Sequence, residues 1–220
     1  MLSSEPLIDL KNIDFSYPDE HQVLNDFCLT FREGQRVGLV GPNGCGKTTV
    51  LSIIMGLLRP QRGEVEIFGR SCRAEKDFRD VRVKLGFVFQ DANDQLFCPT
   101  VADDIAFGPL NMGASRQEAA QIVEKTLALL HLEGFGPRVT YDLSGGEKKL
   151  VSIGTALSLN PRLLILDEPT NSLDEETVVR LEQILNDCGL PYIIVSHDRG
   201  FLERTTSQLW FMNKGRLLEQ

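Results

Sequence analysis

The stretch Gly41-Pro42-Asn43-Gly44-Cys45-Gly46-Lys47-Thr48-Thr49 decides how this chain folds. It fits the pattern G-x-x-x-x-G-K-[ST] and has the context that pattern requires: residues 37–40 (VGLV) read as a short apolar strand before it, and residues 50–58 (VLSIIMGLL) as a buried helix after it, ended by Arg59-Pro60. Glycines let successive backbone N–H groups turn inward around phosphate oxygens, and the helix N-terminus adds a favourable dipole. Lys47 is placed to reach the β- and γ-phosphates of a nucleotide and the Thr48 hydroxyl to coordinate Mg²⁺, with Gly41, Pro42, Asn43, Gly44, Cys45, Gly46 and Thr49 completing the cradle. A plain glycine turn between strand and helix needs neither the lysine nor the hydroxyl.

Outward from this loop the chain alternates. Residues 7–36 read as short strands with turns, including one at Pro18-Asp19-Glu20. Residues 64–68 and 84–89 (KLGFVF) are further strands. From Gln90 to about Asn160 the pattern becomes helical, and over residues 116–130 Ala119, Ile122, Val123, Leu127 and Leu130 fall on one helix face. A second helix is expected from Glu147 to Leu159, stopped by Asn160-Pro161. Strands at 163–166, 192–195 and 209–212 then alternate with helices at 175–186 and 200–205, which implies a mostly parallel, covered sheet.

The strand at 163–166 ends in Asp167-Glu168. Strand ends in an open α/β sheet face the ligand, so Asp167 is expected to hold Mg²⁺ through water and Glu168 to accept a proton from an attacking water. Read alone, such a pair is an ordinary helix-start cap or solvated turn. Beside the phosphate loop it points to a P-loop nucleotide triphosphatase with Mg²⁺ as cofactor.

Composition narrows the class. The 220 residues carry 23 Lys plus Arg against 31 Asp plus Glu, a formal net charge of −8. Phosphate neutralisation needs clustered cations, and the only adjacent basic pair is Lys148-Lys149, so nucleic acid is not an expected partner. No apolar run approaches the roughly 18 to 20 residues that cross a bilayer. Five scattered cysteines, none in a C-x-x-C pair, offer neither a disulfide framework nor a thiolate zinc site. At this size folding removes roughly 70% of the unfolded chain's surface, so no such staple is needed.

Leu143-Ser144-Gly145-Gly146-Glu147 is close to LSGGQ, and with it the chain resembles the ATP-binding-cassette ATPases over nearly its whole length. Tyr17 sits where that family stacks an aromatic ring on adenine, Gln90 resembles its Q-loop glutamine, Ser172-Leu173-Asp174 its D-loop, and His197 its switch histidine. Each has a plain reading alone: a packed strand aromatic, a polar strand end, a helix N-terminal acid, a capping histidine. Their order promotes them. The resemblance implies a P-loop core with a mostly parallel sheet, N-terminal antiparallel strands and an inserted α-helical lobe. Residues 1–220 would form one nucleotide-binding domain, with 1–90 and 161–220 as RecA-like core and 91–160 as helical signature subdomain. Glu168, His197, Lys47 and Gln90 would be catalytic, with Thr48, Gln90 and Asp167 on Mg²⁺. Tyr17, the loop 41–49 and Ser144, Gly145, Gly146 and Glu147 would contact ATP.

The same resemblance implies a head-to-tail dimer, either a homodimer or a heterodimer with a related ATPase, that sandwiches ATP between the phosphate loop of one subunit and the signature of the other. Residues 87–109, with Asn93-Asp94-Gln95-Leu96-Phe97 and Ala106-Phe107-Gly108-Pro109, look like the energy-coupling-factor importers and their cobalt-transport relatives. An integral membrane subunit would then contact the Q-loop and the helical lobe, placing the chain on the cytoplasmic face of the membrane, with cobalt, nickel or a vitamin as cargo. Leu96, Phe97 and Phe107 fit either lobe core or partner groove. Where the common pattern has two arginines after the signature, this chain has Leu150 and Thr155, which puts the lobe's salt bridges in question. The competing class is a soluble cassette ATPase acting in DNA repair or translation. Residues 47–167 show no sustained heptads for the first, and the chain holds one cassette where the second joins two.

Overall fold

The computed structural model describes residues 5–18 and 22–218, so Asp19 and Glu20 of the expected turn lie outside the described residues. The chain divides into two compact units, one of Met1–Val83 with Pro191–Gln220 and one of Lys84–Leu190.

The first unit opens with β1 (Ile8–Ser16) and β2 (Gln22–Phe31), an antiparallel pair. Ile8, Leu10, Ile13 and Phe15 are buried. The alternation slips by one residue between Leu10 and Ile13, where the register is irregular and Asn12 takes φ 51. The strand β3 (Arg36–Val40) runs into the phosphate loop and helix α1 (Lys47–Ile54). The strands β4 (Arg62–Ile67) and β5 (Arg70–Ser71) complete a four-stranded sheet in the order β2-β1-β4-β5, and α2 (Glu75–Arg82) follows.

Helix α1 is shorter than its apolar run. It stops at Ile54 because Gly56 turns left-handed (φ 68) against the Phe78 ring of α2, where a Cβ would lie 2.3 Å from Cγ. Arg82 finishes the cap by donating from Nε to the Met55 carbonyl at 2.8 Å, which satisfies a helix-end acceptor and places a cation at the negative end of the helix dipole.

The second unit begins with β6 (Leu85–Val88) and continues through α3 (Val101–Asn111), α4 (Arg116–Leu129) and α5 (Gly145–Leu157) to β7 (Leu163–Asp167) and α6 (Glu175–Asp187). β6 and β7 are parallel, Leu85 opposite Leu163 and Val88 opposite Leu166. All five residues of β7 are buried, as a parallel strand covered on both faces requires. On α4, Ala119, Val123 and Leu127 are buried with Leu130, its C-cap, while Ile122 is half-buried. Helix α5 starts two residues earlier than expected, because Ser144 is its N-cap and Gly145 and Gly146 form its first turn. The chain then returns to the first unit as β8 (Tyr192–Val195), α7 (Arg199–Thr205), β9 (Gln208–Asn213) and β10 (Arg216–Leu218). There β3 is parallel to both β8 and β9, and β10 closes antiparallel on β9.

One buried carboxylate organises the start of α3. Asp104, 3% exposed, accepts N–H bonds from Phe97 (3.1 Å) and Cys98 (3.0 Å) and the Thr140 hydroxyl (3.0 Å). Asp104→Ala leaves two N–H donors and a hydroxyl unsatisfied, so urea denaturation is expected to show a loss of about 3 kcal/mol.

Candidate functional site

The phosphate loop is built to hold an anion. Gly44 and Gly46 take φ 75 and 105, conformations that L side chains avoid, and Gly41 passes so close to β9 that a Cβ would lie 2.2 Å from the Met212 carbonyl oxygen. No side chain caps α1: Gly46 is its N-cap and makes no side-chain bond. The first-turn N–H groups therefore keep the donor capacity and dipole that attract phosphate. Lys47, 7% exposed, donates from Nζ to the carbonyls of Gly41 (2.8 Å) and Pro42 (3.2 Å), so its ammonium is held over the loop. Thr48 is exposed beside it. Tyr17 sits half-buried at the end of β1, its hydroxyl 3.3 Å from Thr49 Oγ1 and its ring edge-on to Phe15 at 4.9 Å. His197 is exposed, two residues beyond β8, followed by Asp198, which caps α7 by accepting the Phe201 N–H at 2.9 Å.

The other unit carries the remaining candidates. Asp167 and Glu168 stand at the tip of β7, 5% and 7% exposed. Glu168 (φ 45) and Ser172 (φ 63) both occupy the left-handed region, a strained geometry that clusters at functional sites. Asp174 caps α6 by accepting the Thr177 N–H at 2.7 Å, a bond that holds its carboxyl below the usual range. Gln90, Gly145 and Ser172 line one cleft of 520 Å³, together with Asp91, Lys148 and Lys149.

At the head of α5 the signature is a reciprocal capping box. Ser144 Oγ accepts the Glu147 N–H at 3.2 Å, and Glu147 Oε2 accepts the Ser144 N–H at 2.7 Å. Ser144 and Gly145 are exposed, and a Cβ on Gly145 would meet nothing within 4 Å. A Cβ on Gly146 would lie 2.9 Å from Thr177 Oγ1, so that position needs glycine for helix packing.

Two residues that sequence reading gave no role hold the Q-loop. Gln90 lies beyond β6 rather than at its end, because the Phe89 N–H leaves the ladder and donates to Gln95 Oε1 at 3.2 Å. The Gln95 amide donates in turn to the Ser152 carbonyl and Thr155 Oγ1, both at 2.8 Å. Lys149, 3% exposed, donates from Nζ to the carbonyls of Phe89 (3.0 Å) and Gln90 (2.7 Å). Burial pulls its ammonium below the ordinary lysine range, against the opposing charges of Asp91 and Asp167. These bonds join α5 to the segment after β6, while Leu150, at the position of one missing arginine, is buried at 1% exposure. A lysine directly before a helix segment as apolar as residues 150–157 was the available signal, since such a cation must find acceptors.

The donors also suit the expected metal. Among the described residues no cluster of three His, Cys, Asp or Glu side chains could cage an ion. Mg²⁺ needs no such cage, because it keeps several waters and takes one or two protein ligands plus substrate phosphates. Thr48 in the first unit, and Gln90 and Asp167 in the second, each carry a side-chain oxygen donor.

A glycine-rich loop opening a helix, a lysine held over it and carboxylates at a strand tip define a P-loop nucleotide triphosphatase. Residues 24–171 match the ABC transporter family. The chain is 38% identical to the energy-coupling factor transporter ATP-binding protein EcfA of Methanothermobacter thermautotrophicus, over 97% of this chain and 70% of that protein. Its structure superposes on cbiO1 of Clostridium perfringens, part of the ABC transporter complex cbiONQ, with TM-score 0.89 and 29% identity over 99% of this chain and 88% of that one. It also resembles the ATP-binding cassette MJ0796, solved as a dimer in a post-hydrolysis state with ADP and Pi, with TM-score 0.85 and 28% identity over 96% and 97% of the two chains. The chain belongs to the ABC transporter family, as an ATPase of the energy-coupling-factor type.

Proposed function

We propose that this subunit hydrolyses ATP as half of a head-to-tail dimer and drives uptake of a transition metal ion, cobalt or nickel, or of a vitamin, through a separate integral membrane subunit. The dimer is a homodimer or a heterodimer with a related ATPase. Lys47 and the N–H groups of residues 41–49 bind the phosphates, Tyr17 stacks on the adenine, and Ser144, Gly145, Gly146 and Glu147 of the second subunit close over the γ-phosphate. Thr48, Gln90 and Asp167 hold Mg²⁺, which when bound offsets negative charge on the phosphates. Glu168 takes the proton of the attacking water, and His197 and Gln90 orient the reacting groups. Residues 91–160 serve as the helical signature lobe and the rest as core.

The observation that carries the transport reading is an aromatic pair in the segment that resembles the energy-coupling-factor importers. Phe97 and Phe107 are 67% and 47% exposed and meet edge-on at 4.8 Å, with Leu110 and Met112 also exposed nearby in sequence. They are not lobe core, whereas Leu96 is half-buried. Apolar surface of this kind, on a chain with no membrane-crossing helix among its described residues, fits a docking face for a membrane partner at the cytoplasmic surface.

The test uses Glu168→Gln protein as bait in detergent-solubilised membranes. A polytopic membrane protein is expected to co-purify, and Phe97→Ser with Phe107→Ser is expected to lower its recovery at least about tenfold, because buried aromatic anchors dominate interface energetics. Recovery of only ribosomal or DNA-bound proteins would overturn the reading.

A further inference from the structure

The signature of this chain ends in a carboxylate. Glu147 brings a negative charge to the first turn of α5, beside the serine proposed to meet the γ-phosphate of a nucleotide held by a second subunit. Like charges repel, and a carboxylate at a helix N-terminus competes with a phosphate for the same dipole. The common family residue there, glutamine, carries no such charge.

Arg138 answers this charge. Its Nη1 lies 2.8 Å from Glu147 Oε1, and its guanidinium stacks over the Phe135 ring at 4.3 Å. Its backbone is fixed at both groups: the Arg138 N–H donates to the Phe135 carbonyl at 2.8 Å, and the Arg138 carbonyl accepts the Val101 N–H at 3.1 Å. The arginine is thus set in place from the start of α3. Glu147 is then shared between two donors, with Oε1 on Arg138 and Oε2 on the Ser144 N–H. Burial alone would raise the Glu147 carboxyl, yet the Ser144 donors and Arg138 hold it below the usual range. The Ser144 hydroxyl oxygen is occupied as an acceptor, so its hydrogen stays available to donate outward.

We propose that Arg138 is a positioning residue of the signature, which neutralises and holds Glu147 so that the capped Ser144 can donate to the γ-phosphate of a nucleotide bound by the opposing subunit. The inference rests on the composite ATP site proposed above. Arg138 itself touches no nucleotide. It makes an acidic signature electrically equivalent to one with glutamine, and the two residues act as a couple: an arginine is needed where the fifth residue is glutamate and is dispensable where it is glutamine.

A double-mutant cycle in the Glu168→Gln background tests this, with the ATP concentration for half-maximal dimerisation read by sedimentation. R138M is expected to raise that concentration about tenfold, the effect of losing one partly screened charge-assisted contact. In the E147Q background the same substitution is expected to change it less than about twofold, since no charge is left to neutralise. R138K should recover most of the loss, and added salt should shrink the R138M defect by screening the uncovered carboxylate. R138Q provides a second uncharged variant, and nucleotide affinity of the monomer should stay at the parent value in each Arg138 variant. A defect of equal size beside Glu147 and beside glutamine would mean that Arg138 only supports the lobe, and no defect at all would also overturn the proposal. A parent that stays monomeric in saturating Mg-ATP would remove the composite site itself, and the role of Arg138 with it.

Discussion

Glu168→Gln is expected to lower ATP turnover by about 10³-fold while leaving ATP binding in place, so that an ATP-dependent dimer accumulates on gel filtration. Glu168 sits at the tip of β7 with 7% exposure, where glutamine matches it in volume and leaves the strand packing intact. What glutamine lacks is the basic oxygen proposed to take a proton from water. The left-handed backbone at this position (φ 45) fixes where the side chain leaves the strand, and an isosteric amide keeps the same backbone demand. Binding and chemistry therefore separate, and the product is a trapped dimer. A variant that remains monomeric with saturating Mg-ATP, or that turns over ATP at the parental rate, would sink the assignment of Glu168 as the base.

Lys47→Ala is expected to weaken ATP binding by about 100-fold, the loss of roughly two charge-assisted contacts to phosphate. The ammonium already lies over the loop, bonded to the Gly41 and Pro42 carbonyls, so binding requires little reorganisation. Its removal also frees those carbonyls, and the variant's thermal melt should be recorded to show that the fold persists. Titration calorimetry with ATP and with adenosine separates the two contributions. Adenosine carries no phosphate, and a large loss for adenosine as well would mean that Lys47 supports the fold of the loop rather than the nucleotide.

The phosphate loop, the carboxylates after an apolar strand and the amphipathic face of α4 were legible because each is a local pattern with a local cause: glycines at turn positions, apolar runs on covered strands, spacing on one helix face. Boundaries moved where a distant side chain intervened. Helix α1 stops at Ile54 because Gly56 turns left-handed against Phe78 and Arg82 caps its end; Gly56 was the local sign of that stop, while its partners on α2 lie outside the run 50–58. Helix α5 begins two residues earlier than expected because Ser144 and Glu147 cap each other, and it ends two residues earlier, at Leu157. The supports of the candidate site were the least legible. Lys149 and Gln95 act on carbonyls and hydroxyls 57 to 60 residues away in sequence, and partners at that range leave no periodic trace.

The exposed pair Phe97 and Phe107 has a consequence for the making of the protein as well as for its work. A chain released from the ribosome without its membrane partner carries this greasy face into water, where it seeks a second copy or a chaperone. Yield of soluble subunit should therefore track the dose of the partner, and a cell that overproduces one without the other would direct the surplus to inclusion bodies or proteases. The proposed docking surface would then also set the stoichiometry at which the ATPase and its membrane subunit are worth synthesising.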